Sequence, residues 1–181
     1  MKYIKAIIDF FINSSVHVSL AVVALAFITV IEFDIQNYYE LLLLLFFASI
    51  SGYNFIKYFD LFRYHKSTLT RLFRLIKLLS IVSFVFTVVF LFKFNIQTQF
   101  LMFFLAIVTF FYAMPFLPNR IKTIRDKNLR EITGLKVFII AFVWGVTVVI
   151  IPVLVYSFPL TIEVLLTFLQ RFLFVLALMI P

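Results

Sequence analysis

Residues 137–156 read VFIIAFVWGVTVVIIPVLVY, twenty consecutive positions without a charge. A helix rises about 1.5 Å per residue, so this stretch matches the roughly 30 Å hydrocarbon thickness of a bilayer. Many of its residues are β-branched, yet in hydrocarbon only a helix or a closed barrel satisfies the backbone. Barrel strands are about ten residues long and alternate in polarity. This stretch is twice that length and uniformly apolar, which predicts a transmembrane helix.

Working outward, five more stretches share its character. They are Phe10–Ile31, Tyr38–Phe59, Leu75–Phe94, Phe100–Leu117 and Leu160–Pro181. The expected fold class is therefore all-α: one polytopic transmembrane helix bundle of about six helices, filling residues 1–181 as a single domain. The composition agrees, since 65% of the 181 residues are hydrophobic and only 13% are charged. A water-soluble domain carries about twice that share of charge, and a core of this size cannot hide such an excess of apolar side chains. Lys2 and Lys5 precede the first stretch as they would in a signal peptide. The apolar run continues to Ile31 without a small-residue cleavage site, and more spans follow, so it reads as a retained first helix.

The formal net charge of +8 raises the question of a nucleic-acid partner, and the positions of the charges exclude that reading. Residues 1–9, 57–77 and 118–136 hold fourteen of the sixteen Lys and Arg, whereas 32–40, 93–99 and 156–163 hold one. The remaining one is Arg171, inside the last span. Such a split predicts a cytoplasmic location for the basic segments and both termini, with the bilayer as the partner of the charge. The cytoplasmic loops are 60–74 and 118–136. Asp60–Arg74 (DLFRYHKSTLTRLFR) is expected to be a short interfacial helix, its Leu and Phe on the membrane and Arg63, Lys66, Arg71 and Arg74 among the headgroups.

The chain has no Cys and two His, His17 and His65, which excludes disulfides, zinc–thiolate sites and a His-built metal centre. No Gly-rich phosphate loop, HExxH helix or serine triad is present. Chemistry must therefore come from polar residues within the spans. At 3.6 residues per turn, Ser51, Asn54 and Tyr58 share a face of the second span, with Lys57 beside them. That stripe reads either as helix–helix hydrogen bonding with Lys57 snorkelling, or as the lining of a wet cavity. Arg171, next to Gln170, stands near the middle of the last span. A charge there costs at least about 2.5–3.5 kcal/mol on insertion scales, so it needs a partner: an anionic substrate or a carboxylate. Glu163, two turns away, is too near the opposite interface to serve directly. His17, with Asn13, Ser14 and Ser15, gives the first span a polar cytoplasmic end. Trp144 reads as packing or as tunnel lining.

Several of these segments, taken in order, resemble the UbiA superfamily of membrane prenyltransferases. They are Asn13-Ser-Ser-Val-His17, the Tyr-Asn-Phe-Ile-Lys-Tyr end of the second span, Phe111-Tyr-Ala-Met-Pro115, Leu129-Arg-Glu-Ile-Thr-Gly-Leu-Lys136 and the Trp144–Pro152 stretch. The resemblance is to a bacterial branch with an Asn-Phe-x-Lys variant of the first motif, and it implies a bacterial cytoplasmic (inner) membrane. It further implies nine helices around a lipid-facing cavity, with two Asp-rich motifs that bind Mg²⁺ and an isoprenyl diphosphate. Asn54, Lys57, Asp60 and Arg171 would then line the diphosphate end of the cavity, with Tyr58 and His17 on its wall.

The sequence departs from that pattern. Where the first motif would place its Asp residues stand Phe55, Tyr58 and Phe62, and only Asp60 remains nearby, out of register. Lys57 can bind diphosphate oxygens but cannot ligate Mg²⁺, so the chain presents no convincing set of metal ligands. The second Asp motif would begin where the sequence ends, at Pro181, with three more helices beyond. The expectation is a UbiA-like prenyltransferase that is truncated or catalytically degenerate in this form. The alternative is a non-catalytic scaffold or subunit that binds a membrane protein partner.

Overall fold

A computed structural model describes residues 2–64, 71–113 and 134–179. His65, Lys66, Pro115, Arg125, Pro181 and the basic stretch up to residue 133 lie outside the described residues. So do the side chains of residues 60–64 and 71, Asp60 and Arg63 among them.

The described residues form seven helices and no strand. They are α1 (Lys2–Asn13), α2 (Val16–Glu32), α3 (Tyr39–Tyr64), α4 (Arg71–Leu91), α5 (Ile96–Ala113), α6 (Leu135–Val155) and α7 (Ile162–Met179). Five of them, α3 to α7, are long and apolar enough to cross a membrane, and there are six candidate spans when the bent pair α1–α2 is counted as one. The chain is a polytopic helical membrane protein.

The first span differs from the expectation of one helix over Phe10–Ile31. The axis turns by 61° between α1 and α2. Ser14 and Ser15 form the corner, and Ser15 adopts φ 61°, a left-handed conformation that ends a helix. Both serines are buried, and the Ser19 hydroxyl donates to Ser15 O at 3.1 Å, so the corner's carbonyl is satisfied. Residues 60–64 and 71–74 likewise continue α3 and α4 and do not form a separate interfacial helix. Helix α5 starts four residues earlier than its apolar run, because Asn95 caps it. The Asn95 carboxamide oxygen accepts from Thr98 N–H at 2.9 Å.

Helix α2 lies at the centre of the bundle. Its small or β-branched face (Ser19, Val22, Ala26, Thr29, Val30) is buried against α3 and α6. Such residues let membrane helices approach closely where no hydrophobic effect drives them together. Leu41, Leu44 and Leu45 of α3 and Val148, Val149, Ile151 and Val153 of α6 complete that core. Helix α4 packs on α3, and α7 packs on α6. Both are outer helices: only 17% of the apolar window of each is buried. Phe84, Val85, Phe103, Phe104 and Leu166 stand exposed on α4, α5 and α7, as side chains solvated by acyl chains do.

Helix α6 contains a π-helical turn, Val146–Ile150, in which Ile151 N–H bonds back five residues to Val146 O. Pro152 explains it. Proline has no N–H for the carbonyl of Val148, and its ring crowds the preceding turn, which widens. Gly145, just before the turn, admits Phe168 of α7: a Cβ there would lie 2.9 Å from the phenyl ring.

Candidate functional site

An open cleft of about 470 Å³ lies between α2, α3, α5 and α6, at the end of the bundle where the basic segments join the helices. Ser15, His17 and Val18 come from the start of α2, Tyr53, Ile56 and Lys57 from α3, Tyr112 from the end of α5 and Lys136 from the start of α6. The local causes are simple. The Ser14–Ser15 corner swings α1 aside, and α6 starts beside the cleft after Gly134, whose φ of 92° is one that L side chains rarely adopt.

The electrostatics of the lining are one-sided. Lys57, Lys136 and His17 border the cleft, and among the described residues no carboxylate does. The aromatic wall is held from behind, because the Trp144 indole N–H donates to the Tyr53 hydroxyl. The hydroxyl accepts that bond and still carries a proton it can donate. Two cations, a phenolic donor and apolar walls suit the anionic head of an amphiphile.

The residues expected to carry the site are only partly brought together. Lys57 and His17 reach the cleft. Lys57 also faces the C-terminus of α1: its ammonium lies 3.4 Å from Ile12 O, 3.3 Å from Asn13 O and 3.5 Å from Asn13 Oδ1. Tyr58 turns the same way and donates to Asn13 O at 2.8 Å. Both therefore cap the unpaired carbonyls at a helix end, where a cation is favoured. The His17 ring sits with Nδ1 3.3 Å from Phe11 O.

Asn54 is 1% exposed and faces α4, donating to the Ser80 hydroxyl at 2.9 Å, while Ser80 donates to Ile76 O at 2.8 Å. Its carboxamide oxygen is buried and accepts nothing. Arg171 is 7% exposed and does not line the cleft: it bonds Glu32 at 2.8 Å, at the far end of α2. Seventeen residues of α2 separate that end from the cleft, about 25 Å of helix.

Mg²⁺ does not fit these donors. Among the described residues no group of three or more His, Asp or Glu could hold a metal ion. The one orphaned oxygen nearby, Asn54 Oδ1, is neutral, and the next turn carries the Lys57 ammonium where a hard cation would need carboxylates.

Lys136, Tyr53 and Tyr112 were not singled out by sequence reasoning. Each had the same signal, a polar group at the basic-side end of an apolar run, but nothing in the sequence says which helix ends adjoin. No family model, curated protein or solved structure matches the chain.

Proposed function

We propose that the chain is a UbiA-like membrane protein of the prenyltransferase type, whose cleft takes the diphosphate of an isoprenyl diphosphate while the prenyl chain lies along the apolar walls. The observation that carries this reading is the lining itself: Lys57, Lys136 and His17 stand around one opening, with no carboxylate among the described residues there. The segment that resembles the first motif of that superfamily contributes Tyr53 and Lys57 to it. The distribution of basic residues supports a cytoplasmic side for this opening, and the resemblance supports a bacterial inner membrane.

The chemistry expected of these residues is charge stabilisation. As the allylic C–O bond lengthens, negative charge gathers on the leaving diphosphate, and an acceptor nucleophile attacks C1. Lys57 and Lys136 hold those oxygens, and Tyr53 O–H donates to one of them. The walls keep water from the developing carbocation.

Reconstituted protein incubated with radiolabelled isoprenyl diphosphates tests the reading. The expected result is saturable binding that pyrophosphate competes away and that Lys57→Ala and Lys136→Ala each weaken. Absence of binding by the wild-type chain would sink it.

A second reading, a non-catalytic scaffold, is favoured by one specific observation. Asn54 and Tyr58 are spent on Ser80 and on the carbonyl of Asn13, holding helices together. Diphosphate binding without transfer to any acceptor, together with a stoichiometric membrane protein partner that survives purification, would select it.

A further inference from the structure

The 61° corner leaves α1 outside the bundle with one face uncovered. On a helical wheel, Ile4, Ile7, Ile8, Phe11 and Ile12 fall in one sector, and Lys2, Lys5, Asp9 and Asn13 fall opposite. All five apolar side chains are exposed, Ile4 and Ile7 at 63% and 68%. At twelve residues α1 is about 18 Å long, too short to cross the bilayer alone, whereas the seventeen residues of α2 reach the lower limit for a span. With α2 upright, a 61° corner sets α1 within about 29° of the membrane plane, and a tilt of α2 toward α1 of the usual size, about 20°, would bring it closer still.

We propose that α1 is an in-plane anchor: its Ile/Phe face is immersed at the headgroup–acyl boundary, and Lys5 contacts anionic lipid headgroups. The occupant follows from three facts. The uncovered face is continuous with a transmembrane span. The helix carries two lysines against one acid, complementary to an anionic leaflet. Its inner end is fixed at the membrane entrance by Lys57 and Tyr58, which bind the last carbonyls of α1 from α3. This anchor stands independently of what the cleft binds.

The Cys-free chain makes the test clean. Single cysteines at Ile4, Lys5, Ile7, Ile8, Asp9, Phe11 and Ile12 are spin-labelled in vesicles of phosphatidylcholine, with or without phosphatidylglycerol, and probed with oxygen and a nickel chelate. A single label at Phe103, on the exposed face of α5, serves as the bilayer reference, and the circular dichroism of each variant reports that it is folded. The expected pattern is a 3.6-residue oscillation, with Ile4, Ile8 and Phe11 favouring oxygen and Lys5 and Asp9 favouring nickel. Lys5→Gln, in the Ile8-labelled chain, should lower the immersed population about fivefold in the anionic vesicles and leave the neutral ones unchanged. Uniform oxygen exposure would overturn the proposal in favour of a re-entrant span. Shielding from both probes would overturn it in favour of a second copy packed on α1. Uniform nickel exposure would mean that the face meets water, and equal behaviour in both lipids would remove the anionic contact.

Discussion

At the scale of single residues, two buried polar side chains, Asn54 and Arg171, are paired across helices, and the pairing decides what each substitution costs. Asn54 donates to Ser80 but leaves its own oxygen unpaired. Ser80→Ala therefore strands the whole carboxamide and should cost about 1–2 kcal/mol, whereas Asn54→Leu removes the orphaned oxygen along with the bond and should cost less. Thermal denaturation in detergent ranks the two, and the reverse order would contradict the geometry. The ion pair behaves asymmetrically for the same reason. Arg171 is nearly enclosed, while the Glu32 side chain is 38% exposed. Glu32→Ala leaves a buried guanidinium without a counter-charge and should cost about 3–5 kcal/mol at most, but Arg171→Met leaves a carboxylate that still reaches solvent and should cost less. Neither change should alter diphosphate binding in the cleft, because Arg171 pairs about 25 Å of helix away from it. A loss of binding on Arg171→Met, with the melting transition intact, would show that this separation is wrong. The need of Arg171 for a partner was legible in the sequence, since a central charge in a span is costly. Its partner was not, because 139 residues separate Glu32 from Arg171 and only the packing of both α2 and α7 on α6 brings them together. For the same reason the stripe Asn54–Tyr58 was legible as polar, but its division between a helix contact, a helix cap and a cleft was not.

At the scale of elements, the apolar runs gave the spans and missed their irregularities. A uniform run of about twenty residues has one stable solution in hydrocarbon, so α3 to α7 follow from the sequence with shifts of a few residues. The corner at Ser14–Ser15 was hidden because serine is common in membrane helices and the apolar run continues through it. The π turn in α6 was signalled by Pro152, but a proline in a span is equally compatible with a kink. Gly145 shows why the irregular part of α6 matters for packing. The Phe168 ring occupies the place of its missing Cβ, stacks on Phe172 at 6.3 Å and meets Phe142 edge-on at 6.1 Å. Gly145→Leu must displace that ring from two aromatic neighbours and should destabilise the α6–α7 pair by about 1–3 kcal/mol. Phe168→Ala in the same chain should recover part of the loss. A double variant less stable than Gly145→Leu alone would mean that the two side chains do not compete for one space.

At the scale of the whole molecule, the two ends of the bundle are built differently. The end distal to the cleft is laced with polar links: Arg171 to Glu32, Lys93 to Glu40, Asn95 Nδ2 to Leu154 O and the Tyr156 hydroxyl to Asn37 O. These join α2 to α7, α3 to the α4–α5 turn, and the loops after α2, α4 and α6 to one another. The other end has the open cleft, the α1 corner and, among the described side chains, Lys5, Lys57, Arg74, Lys77 and Lys136. A bundle fixed at one end and open at the other can admit the head of an amphiphile without unpacking its core, and its charge distribution predicts one orientation in the membrane. The orientation has a direct consequence for labelling. In sealed vesicles or intact cells, single cysteines replacing Lys5, Lys77 and Lys136 should react with an impermeant maleimide from one compartment, and those replacing Asp34, Gln97 and Ser157 from the other. All six positions are exposed. Helices α2 to α7 alternate in direction only if the two groups separate in this way. If Lys77 and Lys136 reacted from opposite compartments, no bilayer could be drawn through the bundle with the cleft on one side, and the membrane-facing role of its lysines would fail with it.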